Sequence, residues 1–140
     1  MMRRRGDEVR EQRIGFVLDA SAILALLKRE PGSDWVADVL DVSLLSAVNW
    51  SEVLAKALDY GTDLRDAASH FEALGLPIVP FSAQDAGLVA ELRPLTRQKG
   101  LSLGDRACLA LAKRYRAKAL TADRAWAELE LPGIEVQLIR

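Results

Sequence analysis

Short apolar runs alternate with longer amphipathic stretches along almost the whole of this 140-residue chain, and turn residues punctuate the alternation. Ile14-Gly-Phe-Val-Leu18 reads as a buried strand, and Ala20 to Arg29 as a helix that stops before Pro31-Gly32. Ser33 is expected to cap a short helix through Leu40. Val42 to Ser46 reads as a second strand, and Asn49 to Tyr60 as a helix ended by Gly61. Thr62 to Leu74 is a further helix, closed by Gly75. Pro77 to Phe81 is a short strand whose prolines limit its ladder pairing. Helices over Ser82 to Leu95 and Ser102 to Arg116 follow. The chain ends with a strand at Ala119 to Thr121, a short helix from Asp123 to Leu129, and a strand from Glu135 to Ile139. Strands that alternate with helices predict βα units around a mostly parallel sheet, an α/β fold. In such folds ligands bind outside the carboxyl ends of the strands.

Composition narrows the chemistry available there. One Cys, Cys108, cannot form an internal disulfide, which fits a reducing cytoplasm. One Cys and one His fall short of the about four ligands of a structural zinc site. Any Ser-His-Asp or Cys-His mechanism would have to use His70, which reads as a surface residue of a helix with Ala67, Phe71 and Leu74 inward. Catalysis, if present, is left to carboxylates. With 19 basic and 20 acidic residues the net charge is -1, which argues against a protein that coats nucleic acid. Arg3-Arg4-Arg5 ahead of the Phe16–Leu27 run imitates a signal peptide. Asp19 interrupts that run, Asp7, Glu8 and Glu11 dilute the charge before it, and no apolar run approaches the ~20 residues of a membrane span. Residues 1–13 are expected to be a flexible extension to a single domain over residues 14–140.

Four acids fall where the ligand rule points. Asp19 follows the first strand directly, Glu52 lies early in the helix after the second, and Asp123 follows the Ala119–Thr121 strand. Asp105 opens the helix that feeds that same strand. Each acid, taken singly, reads as a helix cap: Ser102-Leu-Gly-Asp105 and Asn49-Trp-Ser-Glu52 both fit a capping box, and Asp19 and Asp123 both fit an N-cap. Ser82-Ala-Gln-Asp85 has the same spacing with no reason to be a site. Four carboxylates gathered at one sheet edge repel one another, and a divalent cation relieves that repulsion. All-oxygen ligands suit Mg²⁺ or Mn²⁺.

The segments Phe16-Val-Leu-Asp-Ala-Ser-Ala-Ile-Leu-Ala25, Ser51-Glu-Val-Leu-Ala-Lys56, Leu101-Ser-Leu-Gly-Asp-Arg-Ala-Cys-Leu-Ala-Leu-Ala112 and Leu120-Thr-Ala-Asp-Arg-Ala-Trp126 resemble, in order and interval, the PIN-domain family. More closely they resemble the VapC toxins of bacterial toxin–antitoxin pairs. The likeness runs from about residue 14 to the C-terminus, and its most specific part is Leu-Ser-Leu-Gly-Asp-Arg-Ala. It implies a three-layer α/β/α fold and an Mg²⁺- or Mn²⁺-dependent endoribonuclease leaving 5′-phosphate and 3′-hydroxyl ends. By motif, Asp19 and Asp105 are the expected metal ligands, Glu52 and Asp123 complete the acidic cluster, and Ser21 and Thr121 are supporting hydroxyls that orient carboxylates or water, or else ordinary turn or cap residues.

Basic residues gather at Arg97, Lys99, Arg106, Lys113, Arg114, Arg116, Lys118 and Arg124. Arg106 and Arg124 each follow a site acid and are the candidates for RNA phosphate, although a solvated helix face would look the same between Lys113 and Lys118. The resemblance further implies a cognate antitoxin and a homodimer, and with them exposed apolar surface between Leu24 and Leu40 and in parts of Val53 to Leu64. Trp126 and Trp50 read as core residues; Trp35 is the most ambiguous of the three tryptophans. Two other phosphate-handling classes fit poorly. A haloacid-dehalogenase-type site needs an Asp where Ser21 stands, and a receiver needs an Asp after its third strand, where Val79-Pro-Phe-Ser82 has none. The alternative of a different kind is a noncatalytic PIN-like module that binds RNA or protein.

Overall fold

The computed structural model describes residues 13–140, so all but the last residue of the expected extension lies outside the described residues. Five strands form one sheet: β1 (Phe16–Leu18), β2 (Ser43–Ser46), β3 (Ile78–Val79), β4 (Lys118–Thr121) and β5 (Glu135–Leu138). Their order is β3-β2-β1-β4-β5, and every pairing is parallel. The helices are α1 (Ala20–Lys28), α2 (Ser33–Val39), α3 (Ala47–Asp59), α4 (Leu64–Glu72), α5 (Ala83–Thr96) and α6 (Leu103–Tyr115). The α/β expectation therefore holds, in its all-parallel form.

Side chains alternate across the sheet as strand geometry demands. Val17, Leu44 and Ala119 face one way, into a core with α5 and α6 that also buries Cys108 and Trp126. Leu18, Leu45 and Leu120 face the other way, against Ile23 of α1, Val36 of α2, Val53 of α3 and Phe71 of α4. The result is three layers with β1 at the centre. In register, Leu18 stands beside Leu45 on one side and Leu120 on the other, so the three strands end level. The residues that follow them emerge at one edge.

Local chemistry moved several boundaries. Helix α3 begins at Ala47 rather than Asn49, because the Ser46 hydroxyl accepts from the Val48 amide and caps it two residues earlier. Glu52 consequently sits in the second turn, and the capping box expected from Asn49 does not form. Ser33 is the first residue of α2 and not its cap; Gly32 is, at φ 95, with an added Cβ only 2.5 Å from the Ile139 carbonyl oxygen. Asp63, not Thr62, starts α4 by accepting from the Asp66 amide. The expected helix after Asp123 is a 3₁₀ segment, Arg124–Glu128. Pro77 and Pro80 hold β3 to two residues at the sheet edge, paired with β2 alone. No helix among the described residues is long and apolar enough to cross a membrane.

Candidate active site

The buried β1 strand delivers Asp19 to the carboxyl edge, where its amide donates to the Leu120 carbonyl at 2.9 Å and ties it to the end of β4. Asp19 occupies the N-cap position of α1, yet its side chain makes no cap hydrogen bond. Its Oδ2 accepts instead from Ser21 Oγ at 2.7 Å and from Thr121 Oγ1 at 3.0 Å. An ionised carboxylate only accepts, so both hydroxyls donate to it; they also lie 3.2 Å from each other, while Ser21 Oγ accepts from the Ala122 amide (2.9 Å) and Thr121 Oγ1 from the Asp123 amide (3.1 Å). Asp19 Oδ1 accepts nothing from the described residues and is open to an outside ligand.

Burial lifts the Asp19 carboxyl from 3.8 to about 6. The Ser21 hydrogen bond opposes that rise, Asp105 repulsion adds to it, the Thr121 bond opposes it, and Glu52 adds a last increment. Glu52 is also raised, first by burial, against the Asn49 hydrogen bond and with help from Asp105. The buried Cys108 thiol is pushed up by its burial and then by Asp19, Asp105 and Glu52 together. Three carboxylates from β1, α3 and α6 thus share one electrostatic neighbourhood. Among the described residues no basic side chain pairs with any of them.

Asp105 does form the capping box that its spacing suggested. Its Oδ2 accepts from the Ser102 amide at 2.9 Å, and its own amide donates to Ser102 Oγ at 3.1 Å. Capping occupies one oxygen only. The control at Ser82 and Asp85 forms the same box, and there the second oxygen pairs with Arg114 at 2.8 Å. Although burial works against it, the Ser82 and Arg114 bonds hold the Asp85 carboxyl low. The two boxes are alike in sequence and opposite in charge environment: Asp85 faces a cation, Asp105 faces two other acids.

Asp123 is not among the charges that raise Asp19 and Glu52. It is exposed, and its Oδ1 caps the 3₁₀ segment through the Ala125 amide at 3.0 Å. Its connection to the site is the backbone amide that orients Thr121. Arg106 is partly buried and donates through Nη1 to the Val89 carbonyl of α5 at 3.1 Å, while its Nε is buried without a partner among the described residues. Arg124 is exposed beside Asp123. Of the remaining basic residues, Lys99 pairs with Glu128, Arg114 with Asp85, and Lys118 with Glu135 at 3.9 Å, as an ordinary charged face would. His70 is exposed on α4, as expected.

Two residues of the site carried no such role in the sequence. Asn49 is wholly buried, and its Nδ2 donates to Glu52 Oε1 at 2.9 Å and to the Gly104 carbonyl at 3.0 Å. A Cβ built on Gly104 would overlap the Glu52 carboxylate, so only glycine leaves room for it. The available signal was the i, i+3 spacing of Asn49 and Glu52, which puts both on one helix face once the cap is moved to Ser46.

The donor set suits a hard divalent cation. Among the described residues no three His, Cys, Asp or Glu side chains form a ready-made cage. A small hard ion does not need one, because Mg²⁺ is commonly held by one or two carboxylates and retains several waters. Asp19 Oδ1 and the uncapped oxygen of Asp105 are the groups left open to it.

The chain is thus a parallel α/β protein with acidic side chains at the carboxyl edge of its sheet. The chain belongs to the PIN domain family, whose pattern it matches over residues 16–131. No curated protein sequence matches it significantly. Among solved structures it is similar to DNA-bound VapBC from Salmonella typhimurium, with TM-score 0.70 and 16% identity over 91% of this chain and 99% of that one. VapBC2 from Rickettsia felis bound to a promoter DNA fragment gives TM-score 0.66 and 18% identity, covering 88% and 97%. A toxin–antitoxin complex from Klebsiella pneumoniae gives 0.65 and 21%, covering 86% and 95%. At these identities the likeness is one of fold.

Proposed function

We propose that this chain is a divalent-metal-dependent endoribonuclease, with residues 14–140 acting as one PIN-like unit, and that it is the VapC-type toxin of a toxin–antitoxin pair. The observation that carries the reading is the meeting of Asp19, Glu52 and Asp105 without a protein cation among the described residues, with Asp19 gripped by two hydroxyls on one oxygen and open on the other. Asp19 and Asp105 would hold Mg²⁺ or Mn²⁺ directly. The ion, when bound, supplies a more acidic water for attack on phosphorus and offsets charge on the phosphate. Ser21 and Thr121 keep the Asp19 carboxylate in one orientation. Glu52 and Asp123 act through water, Glu52 from a half-buried position and Asp123 from the exposed rim. Arg124, exposed beside Asp123, would meet RNA phosphate, whereas Arg106 would have to leave Val89 to do so.

An apolar groove of about 370 Å³ runs between α1, α3 and α4, lined by Leu24, Leu27, Trp50, Val53 and Phe71 among others. Leu24, Leu27 and Val53 fall within the stretches expected to receive an antitoxin segment, whereas Trp50 and Phe71 lie outside them. That the similar folds come from toxin–antitoxin complexes supports the same partner here. A cytoplasmic homodimer completes the reading, consistent with the one buried, unpaired Cys108.

The decisive assay incubates single-stranded and structured RNA with the protein in Mn²⁺, in Mg²⁺ and in EDTA, and repeats it with Asp105→Asn. Metal-dependent cleavage that the substitution abolishes supports the enzyme. RNA binding without cleavage in any metal would leave a noncatalytic module instead.

A further inference from the structure

Asn49 has chemistry that the reading above leaves unused. Both hydrogens of its Nδ2 are committed, one to Glu52 Oε1 (2.9 Å) and one to the Gly104 carbonyl (3.0 Å). Both partners are acceptors only, so the amide cannot be flipped: its oxygen would face two other oxygens. The Asn49 Oδ1 is buried and has no partner among the described residues. A side chain with no exposure that leaves its own oxygen unsatisfied is a costly way to fill a core position. An apolar residue of similar size would avoid that cost, and the two donated bonds are what the amide offers in return.

Those bonds join the two elements that carry acids. Helix α3 brings Glu52, and the first turn of α6 brings Asp105, next to Gly104. Asn49 pins the Glu52 carboxylate while gripping the backbone immediately before Asp105. Gly104 completes the cradle, because the space where its Cβ would stand is filled by the Glu52 carboxylate.

We infer that Asn49 is a positioning residue that, with Gly104, locks the Glu52 carboxylate to the start of α6 and so sets its placement relative to Asp105. The inference rests on the metal-site reading and assigns Asn49 no contact with substrate or reacting atoms. Its effect is on how the acidic cluster receives a cation.

The test is Mn²⁺ binding to the purified, RNA-free protein, followed by titration calorimetry, for the parent, Asn49→Ala, Glu52→Gln and the double variant, with thermal melts in EDTA to establish folding. Asn49→Ala is expected to weaken Mn²⁺ binding on the order of tenfold, as loss of a group that orients a ligand commonly does. In the Glu52→Gln background the same change is expected to cost less than about twofold, because the group it positions no longer carries charge. Gly104→Ala, which evicts Glu52 while keeping Asn49, is expected to reproduce the loss and stands in if Asn49→Ala does not fold. Equal Mn²⁺ affinity in the parent and in folded Asn49→Ala or Gly104→Ala overturns the inference alone. So does an undiminished loss in the Glu52→Gln background, which marks a merely structural role. A folded parent that binds no Mn²⁺ overturns the metal-site reading and this inference together.

Discussion

Thr121 and Asp19 stand 102 positions apart in sequence and meet through a 3.0 Å hydrogen bond from Thr121 Oγ1 to Asp19 Oδ2. The Asp123 amide donates to the same hydroxyl, so the Thr121 oxygen accepts from one side and gives its proton on the other. Ser21 duplicates the arrangement from the other side, with the Ala122 amide behind it. Thr121→Val and Ser21→Ala should each lower Mn²⁺ affinity by about tenfold or more, since hydrogen bonds to a charged group are worth roughly 1.5–3 kcal/mol. Thr121→Ser, which retains the donor, should stay within about twofold. If Thr121→Val binds Mn²⁺ as tightly as the parent, the two hydroxyls are turn residues and nothing more.

A metal-free site has a measurable stability cost. The folded-state pKa of Asp19, about 6, lies above its ordinary 3.8, so between those values the native protein keeps a proton that the unfolded chain has released. Stability contributed by this group therefore falls as pH rises through that window and stays low above it. The deficit is on the order of 2 to 3 kcal/mol at neutral pH. Asp19→Asn retains an oxygen to accept both hydroxyl bonds and removes the charge. In EDTA at pH 8 it should melt several degrees above the parent, the gap should shrink toward pH 4, and Mn²⁺ should stabilise the parent but not the variant. A melting temperature for Asp19→Asn at or below the parent's in EDTA would contradict the assigned burial and charge crowding.

The edge that holds the site was legible because each apolar strand ends in a polar residue at the same register: Leu18 precedes Asp19, and Leu120 precedes Thr121. A buried parallel strand has one way to release its next residue, so the address of Asp19 followed from hydrophobic patterning, while Glu52 and Asp105 had to be placed through the helices that carry them. Roles within the address were less legible. Asn49 and Ser46 are both good caps, and which one starts α3 depends on where β2 leaves the sheet. A Cβ on Gly104 would overlap the carboxylate of Glu52, a side chain 52 positions earlier, and no local rule reports a contact of that range. Asp123, read as an N-cap, is one: its Oδ1 accepts from the Ala125 amide.

The paired capping boxes separate structure from chemistry within one molecule. Asp85→Asn should destabilise the fold, because its carboxylate joins α5 to Arg114 of α6, yet leave Mn²⁺ affinity within about twofold. The folded-state pKa of Asp85 lies below its ordinary 3.8, so the stability it gives is present above that value and lost as pH falls below it. Asp105→Asn should do the reverse: a smaller loss of melting temperature in EDTA, since the cap bond survives in part, and loss of Mn²⁺ binding by at least about tenfold. Thermal melts and Mn²⁺ titrations of the two variants side by side would expose any failure. Equal effects of both on metal binding would mean that Asp105 is only a cap.

The groove between α1, α3 and α4 carries the remaining prediction. Leu27 lines it and is 47% exposed, and on its rim Lys28 Nζ donates to the Tyr60 hydroxyl at 2.6 Å while lying 4.4 Å from that ring's centre. Apolar area of this kind, open to solvent in the isolated chain, gains most from an amphipathic segment laid along it. Glu in place of Leu27 would put a carboxylate beneath such a segment with no partner, a penalty of several kcal/mol that a helix-in-groove contact cannot absorb. Co-expressed with a cognate antitoxin, Leu27→Glu should lose co-purification, and its RNA cleavage should no longer be suppressed when the partner is added. Because Leu27 lies on the third turn of α1, away from the helix start that follows Asp19, the variant should still cleave RNA in Mn²⁺. A Leu27→Glu protein that the antitoxin still captures and silences at parent-like concentrations would move the docking surface elsewhere on the molecule.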